Sequence, residues 1–201
     1  YLQQQRLEQA ITQFNAVIKS KPSAAAHCRL AETFQQMYQF EEALRQYKLA
    51  ADLEPTNFKL LADLGALALQ FGDFELGTSS LRKALELDSN HPDIHAHLAK
   101  AALTQGDLEE ASARYQSLLN LQPQDVFALK ALSGIYVKQQ TPQAAIPLLQ
   151  KALELQPSDT QVPLDLANAH RLAGDDAKAQ EVLFKGLEVT TFPEDKLLTV
   201  K

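Results

Sequence analysis

The 201-residue sequence has no tryptophan, one methionine, one cysteine, seven glycines and nine prolines. The single cysteine, Cys28, excludes an intrachain disulfide and leaves the redox compartment open, with a cytoplasmic location favoured. No apolar run approaches the roughly 18 residues that a membrane-spanning helix needs. Acidic residues (25) outnumber Lys and Arg (19), which argues against a broad nucleic-acid surface.

Sequence motifs for catalysis and cofactor binding are also missing. There is no phosphate-binding loop, no Gly-x-Ser-x-Gly and no dinucleotide fingerprint, and no acidic pair is singled out for acid–base chemistry. The densest group of metal-ligating residue types is His91, Asp93, His95 and His97. His91 precedes a proline in a predicted turn and His95 falls on an apolar packing column, so we predict capping and packing roles. We therefore expect no catalytic site, no cofactor and no metal site in this segment.

What the sequence does contain is a repeated stretch. Residues 41–55, EEALRQYKLAADLEP, return in altered form from Glu75, Glu109 and Gln143. Small residues recur at intervals of 34 positions within these stretches, at Ala43, Gly77, Ala111, Ala145 and Ala179. Apolar residues between them follow helical spacing. A fixed period of this length predicts an array of helix–turn–helix repeats.

The period divides the chain into five complete units of two helices each. We place them at residues 24–57, 58–91, 92–125, 126–159 and 160–193. Residues 1–23 are expected to be part of a preceding repeat. Residues 194–201 begin a further repeat or form a capping helix, because Leu197 and Val200 fall on apolar columns. The chain is thus expected to be one solenoid segment of a longer protein.

Short polar residues and glycines mark the predicted helix ends. N-caps are expected at Asn57, Asp125 and Asp159 for first helices and at Asp73, Asp107 and Asp175 for second helices. Left-handed residues are expected at the ends of first helices, at Gly72, Gly106 and Gly174. Small residues such as Gly65 and Gly77 predict close approach of the two helices of a unit. Pro147 breaks the pattern, and we expect it to remove one hydrogen bond early in its helix.

This pattern resembles the tetratricopeptide repeat (TPR) family over almost the whole chain. The unit at residues 24–57 matches best, with Leu30, Ala31, Phe34, Ala43, Tyr47, Ala50 and Pro55 at signature columns. The early tryptophan of the family is missing, and Ser89 and Thr191 stand where proline is usual. The resemblance implies an all-α solenoid of antiparallel helix–turn–helix repeats that forms a right-handed superhelix, with the first helices lining a concave groove.

The resemblance also implies which side chains face that groove. Carried over by position, the candidates for partner binding are Arg29, Glu32, Lys59, Asp63, His97, Lys100, Phe127, Lys130, Lys138, Asn168 and Arg171. The first helices of the complete units hold six Lys or Arg against four Asp or Glu, so the groove is predicted to be slightly basic. We therefore expect a peptide or protein ligand with acidic character, with Phe127 and the small Gly134 leaving room for apolar side chains.

The function that follows is a non-catalytic protein–protein interaction scaffold. Two alternatives stay open at this stage. The segment could be the interaction domain of a multidomain enzyme, such as a glycosyl- or sulfotransferase, or a scaffold that self-assembles through its open array ends. Sequence beyond the segment would test the multidomain-enzyme alternative. The mass in solution, measured across a concentration series, would test self-assembly.

Overall fold

The computed structural model describes the backbone of residues 2–191 and the side chains of residues 4–186. Every regular element in this part of the chain is an α-helix, which confirms the all-α prediction. The helices are α1 Leu2–Ser20, α2 Ala24–Gln36, α3 Phe40–Leu53, α4 Phe58–Gln70, α5 Phe74–Leu87, α6 Pro92–Gln105, α7 Leu108–Leu121, α8 Val126–Lys138, α9 Pro142–Leu155, α10 Gln161–Leu172 and α11 Asp176–Thr191. The repeat predicted to begin at residue 194 lies outside the described residues.

The chain forms two compact units, Tyr1–Ala101 and Ala102–Lys201, here called unit 1 and unit 2. In unit 1, one apolar cluster joins α2, α3 and α4 through residues such as Ala31, Tyr47 and Leu64. A second cluster joins α4, α5 and α6 through Leu61 and Leu81. Each cluster combines two helices of one pair with a helix of the neighbouring pair, as expected for a repeat array.

Unit 2 has its own core of large, fully buried side chains. These are Tyr115, Leu118, Leu129, Leu132, Ile135, Leu149 and Val162, drawn from α7 to α10. Helix α9 continues past Pro147, which is exposed, so the proline does not end the helix. The predicted boundaries of the repeat units remain a prediction. Within residues 2–191, no helix combines the length and apolar character that crossing a bilayer requires.

The predicted capping side chains all accept helix N–H groups, although Asp159 lies one residue before Thr160, which occupies the N-cap position of α10. Asn57 and Asp125 accept hydrogen bonds from backbone N–H groups at the starts of α4 and α8, at 3.1 and 2.8 Å. Asp159 accepts two, from Gln161 N–H at 2.8 Å and Val162 N–H at 3.3 Å. The second helices begin in the same way, with accepting carboxylates at Asp73, Asp107 and Asp175. Each cap provides a partner for an N–H group that the helix cannot satisfy.

Each first helix of the described pairs is followed, one or two residues after its end, by a residue with left-handed backbone. Three of these residues are the predicted glycines, Gly72 (φ 82°), Gly106 (φ 79°) and Gly174 (φ 86°). The other two are Tyr38 and Gln140, each with φ 60°. Gln39 N–H, directly after Tyr38, donates to Phe34 C=O at 2.9 Å, the 6→1 bond of a Schellman turn. The turn between two packed helices therefore imposes the left-handed backbone even where no glycine is present.

Two glycines face each other where α4 packs on α5. A Cβ placed on Gly65 would lie 2.6 Å from Leu81 Cγ and 3.0 Å from Gly77 C=O. A Cβ on Gly77 would lie 2.6 Å from Leu69 Cγ and 3.0 Å from Leu69 backbone N. No real Cβ is found closer than about 3 Å, so the two backbones approach too closely for any larger residue. The predicted close approach is confirmed for this pair.

Candidate functional site

In unit 2, an ion pair joins α8 to the turn that precedes α10. The Lys130 ammonium on α8 donates to Asp159 Oδ2 at 2.6 Å, and the same carboxylate caps α10. Both side chains are partly buried, at 33% and 18% exposure. Hydrogen bonding to Lys130, followed by the backbone N–H of Gln161, lowers the pKa of Asp159 below its usual value. This contact links α8 to the start of α10.

The outward faces of α8 and α10 form what we call the α8–α10 face. It consists of Phe127, Gly134, Lys138, Leu164, Asn168 and Arg171, all of which are exposed. On each helix the members recur at intervals of three, four or seven residues, so they lie along one side of the helix. Phe127 is 65% exposed and Leu164 is 51% exposed. Two large apolar side chains are thus exposed on the same helices as two exposed basic ones.

The basic groups of this face lie towards the C-terminal ends of the two helices. Lys138 is the last residue of α8, and Arg171 lies in the last turn of α10. Arg171 Nη2 donates to Asn168 Oδ1 at 3.0 Å, which orients the guanidinium along the helix. Lys130 contributes less to a ligand, because Asp159 already holds its ammonium. Gly134 leaves open space, since a Cβ there would meet no atom within 4 Å.

The corresponding faces of α2 and α4 in unit 1 have a different charge balance. Arg29 is paired with Glu32 at 2.9 Å. Burial raises the pKa of the Asp63 carboxyl, Lys59 opposes the shift, and the nearby Glu32 adds to it. Burial also raises the pKa of the Cys28 thiol, followed by the effects of Glu32 and Asp63. The thiolate is disfavoured there, which fits an inert thiol.

His91, in the turn before α6, packs on an aromatic ring, and His95 on α6 is hydrogen-bonded. The His91 ring packs on the Phe58 ring at 4.9 Å, and His95 Nε2 lies 3.0 Å from Ser89 C=O. His97 is exposed beside Lys100, and burial lowers the His97 pKa, against the effect of Asp93. Among the described residues, no group of three or more His, Cys, Asp or Glu side chains is arranged to hold a metal ion.

Two tyrosines, two repeats apart, differ in how their buried hydroxyls are satisfied. Tyr47 O–H donates to Gln35 Oε1 at 3.0 Å in unit 1. In unit 2 the equivalent Tyr115 is fully buried, with its ring 6.3 Å from that of Phe127. The Tyr115 hydroxyl has no hydrogen-bond partner among the residues that the structure describes. Leu103 occupies the position that corresponds to Gln35 and offers no acceptor.

Comparison with known proteins shows the family of the chain. The family model described as "Cilia and flagella-associated protein 70 C-terminal domain", a TPR family, matches residues 1–197. The chain belongs to this family. The TPR resemblance drawn from the sequence is therefore confirmed. None of the curated proteins matches the chain.

Solved structures share the fold at low sequence identity. A crystal structure of MamA has a TM-score of 0.77 and 20% identity, over 89% of this chain and 97% of that one. MamA from Desulfovibrio magneticus RS-1 has a TM-score of 0.71 and 22% identity, over 83% and 94%. YrrB, described as a TPR protein with an unusual peptide-binding site, has a TM-score of 0.76 and 16% identity, over 88% and 91%.

Tyr47 and Tyr115 lead to opposite predictions for stability. Tyr47→Phe is expected to lower the free energy of unfolding by about 1 kcal/mol, because Gln35 loses its donor. Tyr115→Phe is expected to raise it by up to about 1 kcal/mol, because a buried hydroxyl without a partner is removed. Urea denaturation followed by circular dichroism measures both. Equal losses in the two variants would show that the Tyr115 hydroxyl is satisfied.

Leu164 is the member of the α8–α10 face that the sequence prediction missed. It lies 34 residues after Lys130, on the same column of the next first helix, and Lys130 was among the predicted groove residues. That spacing was the available signal. Leu129, Leu132 and Leu166 on these helices are buried, and only Leu172 at the end of α10 is also exposed, so residue type alone pointed to the core. Exposure in the structure separates Leu164 from Leu166, which is 3% exposed.

Proposed function

We propose that this chain is a protein-interaction module whose α8–α10 face binds an extended peptide segment with apolar and acidic side chains. The observation that carries the proposal is the joint exposure of Phe127 and Leu164 on the face that also presents Lys138 and Arg171. A few side chains supply most of the binding energy in a protein interface, and aromatic residues and arginine are enriched at interfaces. The description of YrrB as a peptide-binding TPR protein supports the same class of function.

The charges on this face favour an acidic ligand over a basic one. Lys138 and Arg171 supply two positive charges, and the ammonium of Lys130 is shared with Asp159. The α2 and α4 faces of unit 1 suit an acidic peptide less well, because Glu32 and Asp63 lie close together there. Rim charges of this type mainly affect the association rate and its salt dependence, whereas apolar anchors affect the dissociation rate.

Selection from a phage library of random dodecapeptides tests the proposal without a known ligand. The wild-type chain is expected to enrich sequences that combine Asp or Glu with aromatic or aliphatic residues. A synthetic peptide from this selection is expected to bind Phe127→Ala or Leu164→Ala at least roughly tenfold more weakly, as for a central interface residue. Fluorescence anisotropy measures the affinity, and thermal melting verifies that each variant is folded.

The chain offers matched controls for both kinds of side chain. Phe184 on α11 is 68% exposed, close to the exposure of Phe127, and Phe184→Ala is expected to leave the affinity unchanged. Lys138→Glu and Arg171→Glu should weaken binding and flatten its salt dependence, whereas Lys151→Glu on α9 should not. Selected peptides that bind Phe127→Ala as tightly as Phe184→Ala would contradict the assignment of this face.

A further inference from the structure

Three aromatic residues form an exposed patch in unit 1, well separated in sequence from the α8–α10 face. We call Tyr38, Phe40 and Phe71 the aromatic edge. Phe40 stacks on Phe71 with ring centroids 4.1 Å apart, and Tyr38 meets Phe40 edge-on at 6.1 Å. Tyr38 is 81% exposed and Phe71 is 42% exposed, while Phe40 packs against the core. The α2–α3 and α4–α5 turns are thereby joined by rings that remain open to solvent.

Packing within the chain does not account for Tyr38. Its left-handed backbone is the conformation that Gly72, Gly106 and Gly174 adopt at the equivalent position in other repeats. A side chain with a Cβ is strained in this conformation, and strain at an exposed residue is a reason to look for a function. With most of its surface in solvent, the Tyr38 ring gains little burial in return for that strain.

The charge around the aromatic edge is mostly negative. Glu41 and Glu42 lie in the first turn of α3, and Asp73 and Glu75 lie at the start of α5. The sequence has no Lys, Arg or His at residues 35–44 or 70–81. Arg45 is paired with Glu42 at 2.6 Å, so it offsets one of these charges. The turns of unit 2 at residues 105–110, 139–144 and 173–178 contain no aromatic residue.

We propose that the aromatic edge is a second docking surface, which binds an arginine-rich segment of a partner protein. A guanidinium group stacks on an aromatic ring and at the same time donates paired hydrogen bonds to a carboxylate. Tyr38 and Phe71 supply the exposed rings, and Glu41 and Glu75 supply exposed carboxylates in the first turns of the helices that follow them. Lysine is the poorer fit, because its ammonium is more strongly hydrated and has no planar surface. This proposal is independent of the ligand of the α8–α10 face.

A fluorescein-labelled peptide of alternating arginine and serine is the probe, with the lysine counterpart of equal charge for comparison. Wild-type protein is expected to bind the arginine peptide more tightly than the lysine peptide. Tyr38→Gly is expected to weaken arginine-peptide binding roughly fivefold to tenfold, the loss of one or two cation–π contacts. The same substitution should raise the melting temperature, because glycine adopts the left-handed conformation without strain.

Gln140→Gly is the matched control, since Gln140 has the same φ of 60° but no aromatic neighbour in its turn. It should raise the melting temperature as Tyr38→Gly does and leave peptide affinity unchanged. The proposal is overturned if wild-type protein does not bind the arginine peptide, if Tyr38→Gly binds it as wild type does, or if the lysine peptide binds equally well. A concentration-dependent dimer that Tyr38→Gly abolishes would instead assign the edge to a second copy of the chain.

Discussion

Replacing Gly77 with alanine is expected to lower the free energy of unfolding by about 1–2 kcal/mol, although alanine is the better helix former. The added methyl group would lie 2.6 Å from Leu69 Cγ and 3.0 Å from Leu69 backbone N, so a helix has to move and not only a side-chain tip. Overpacking of this kind destabilises the fold by about 1–3 kcal/mol, and the higher helix propensity of alanine offsets about 0.5–1 kcal/mol of that loss. Urea denaturation followed by circular dichroism measures the difference.

Gly134→Ala separates overpacking from helix propensity in the same protein. Gly134 lies inside α8 with no atom within 4 Å of an added Cβ. Its replacement is expected to raise the free energy of unfolding by about 0.5–1 kcal/mol. If both substitutions stabilise the protein, the α4–α5 pair relaxes more easily than its geometry indicates. Alanine at the equivalent positions, such as Ala43 and Ala145, shows that glycine is not a requirement of the repeat itself.

Asp159→Ala is expected to lower the free energy of unfolding by about 1–2 kcal/mol, because two interactions are lost together. The carboxylate caps α10 through Gln161 and Val162 N–H groups, and it holds Lys130 on α8 at 2.6 Å. Asp159→Asn is expected to cost less, because an amide oxygen still accepts the capping bonds while the ion pair is lost. Asp73→Ala serves as the comparison, since it removes a cap at 3.1 Å and is expected to cost about 1 kcal/mol.

The same aspartate predicts a pH dependence with a definite sign. Its pKa in the folded chain lies below the ordinary value of 3.8, chiefly because of the hydrogen bond from Lys130. Near and below pH 3.8 the unfolded chain therefore binds more protons than the folded one, so stability decreases as the pH falls. The contribution is complete well above pH 3.8 and is lost as the pH falls through the folded pKa.

Comparison of wild type with Asp159→Asn across this range isolates the contribution of this group. The difference in unfolding free energy between the two should be largest at neutral pH and should shrink as the pH falls below 3.8. A difference that stays constant with pH would show that Asp159 is not held in its charged form by Lys130. Circular dichroism at each pH establishes that both proteins remain helical.

Much of the fold was predictable because each repeat specifies its own helix ends. Asn57 and Asp125 cap helices, and Gly72 ends one, through local hydrogen bonds that depend on neighbours three to six residues away. Such contacts can be read from residue type and spacing. Tyr38 and Gln140 could not be predicted in this way, because neither favours a left-handed backbone by itself. Their left-handed conformation belongs to the short turn that connects two packed helices.

The candidate site was predictable only in part. Phe127, Lys138 and Arg171 were assigned to the groove by position, and the structure places them on the exposed face of unit 2. Whether a predicted charge is available to a ligand depends on its neighbours, which lie far away in sequence. Lys130 forms an ion pair with Asp159, which lies 29 residues later in the sequence. Spacing rules for a single helix do not predict a contact between residues so far apart. Leu164 was missed because a leucine is assigned to the core until its exposure is known.

The sequence by itself determined the repeat period, the helical class, the family resemblance and the positions of the caps, because these depend on local chemistry that recurs every 34 residues. The tertiary structure decided which members of each column are available to a partner. It paired Lys130 with Asp159, left Leu164 and Phe127 exposed, left the Tyr115 hydroxyl without a partner among the described residues and stacked Phe40 on Phe71. Those outcomes depend on packing between helices. Equivalent columns of different repeats hold different residues there, and periodicity carries no information about such differences.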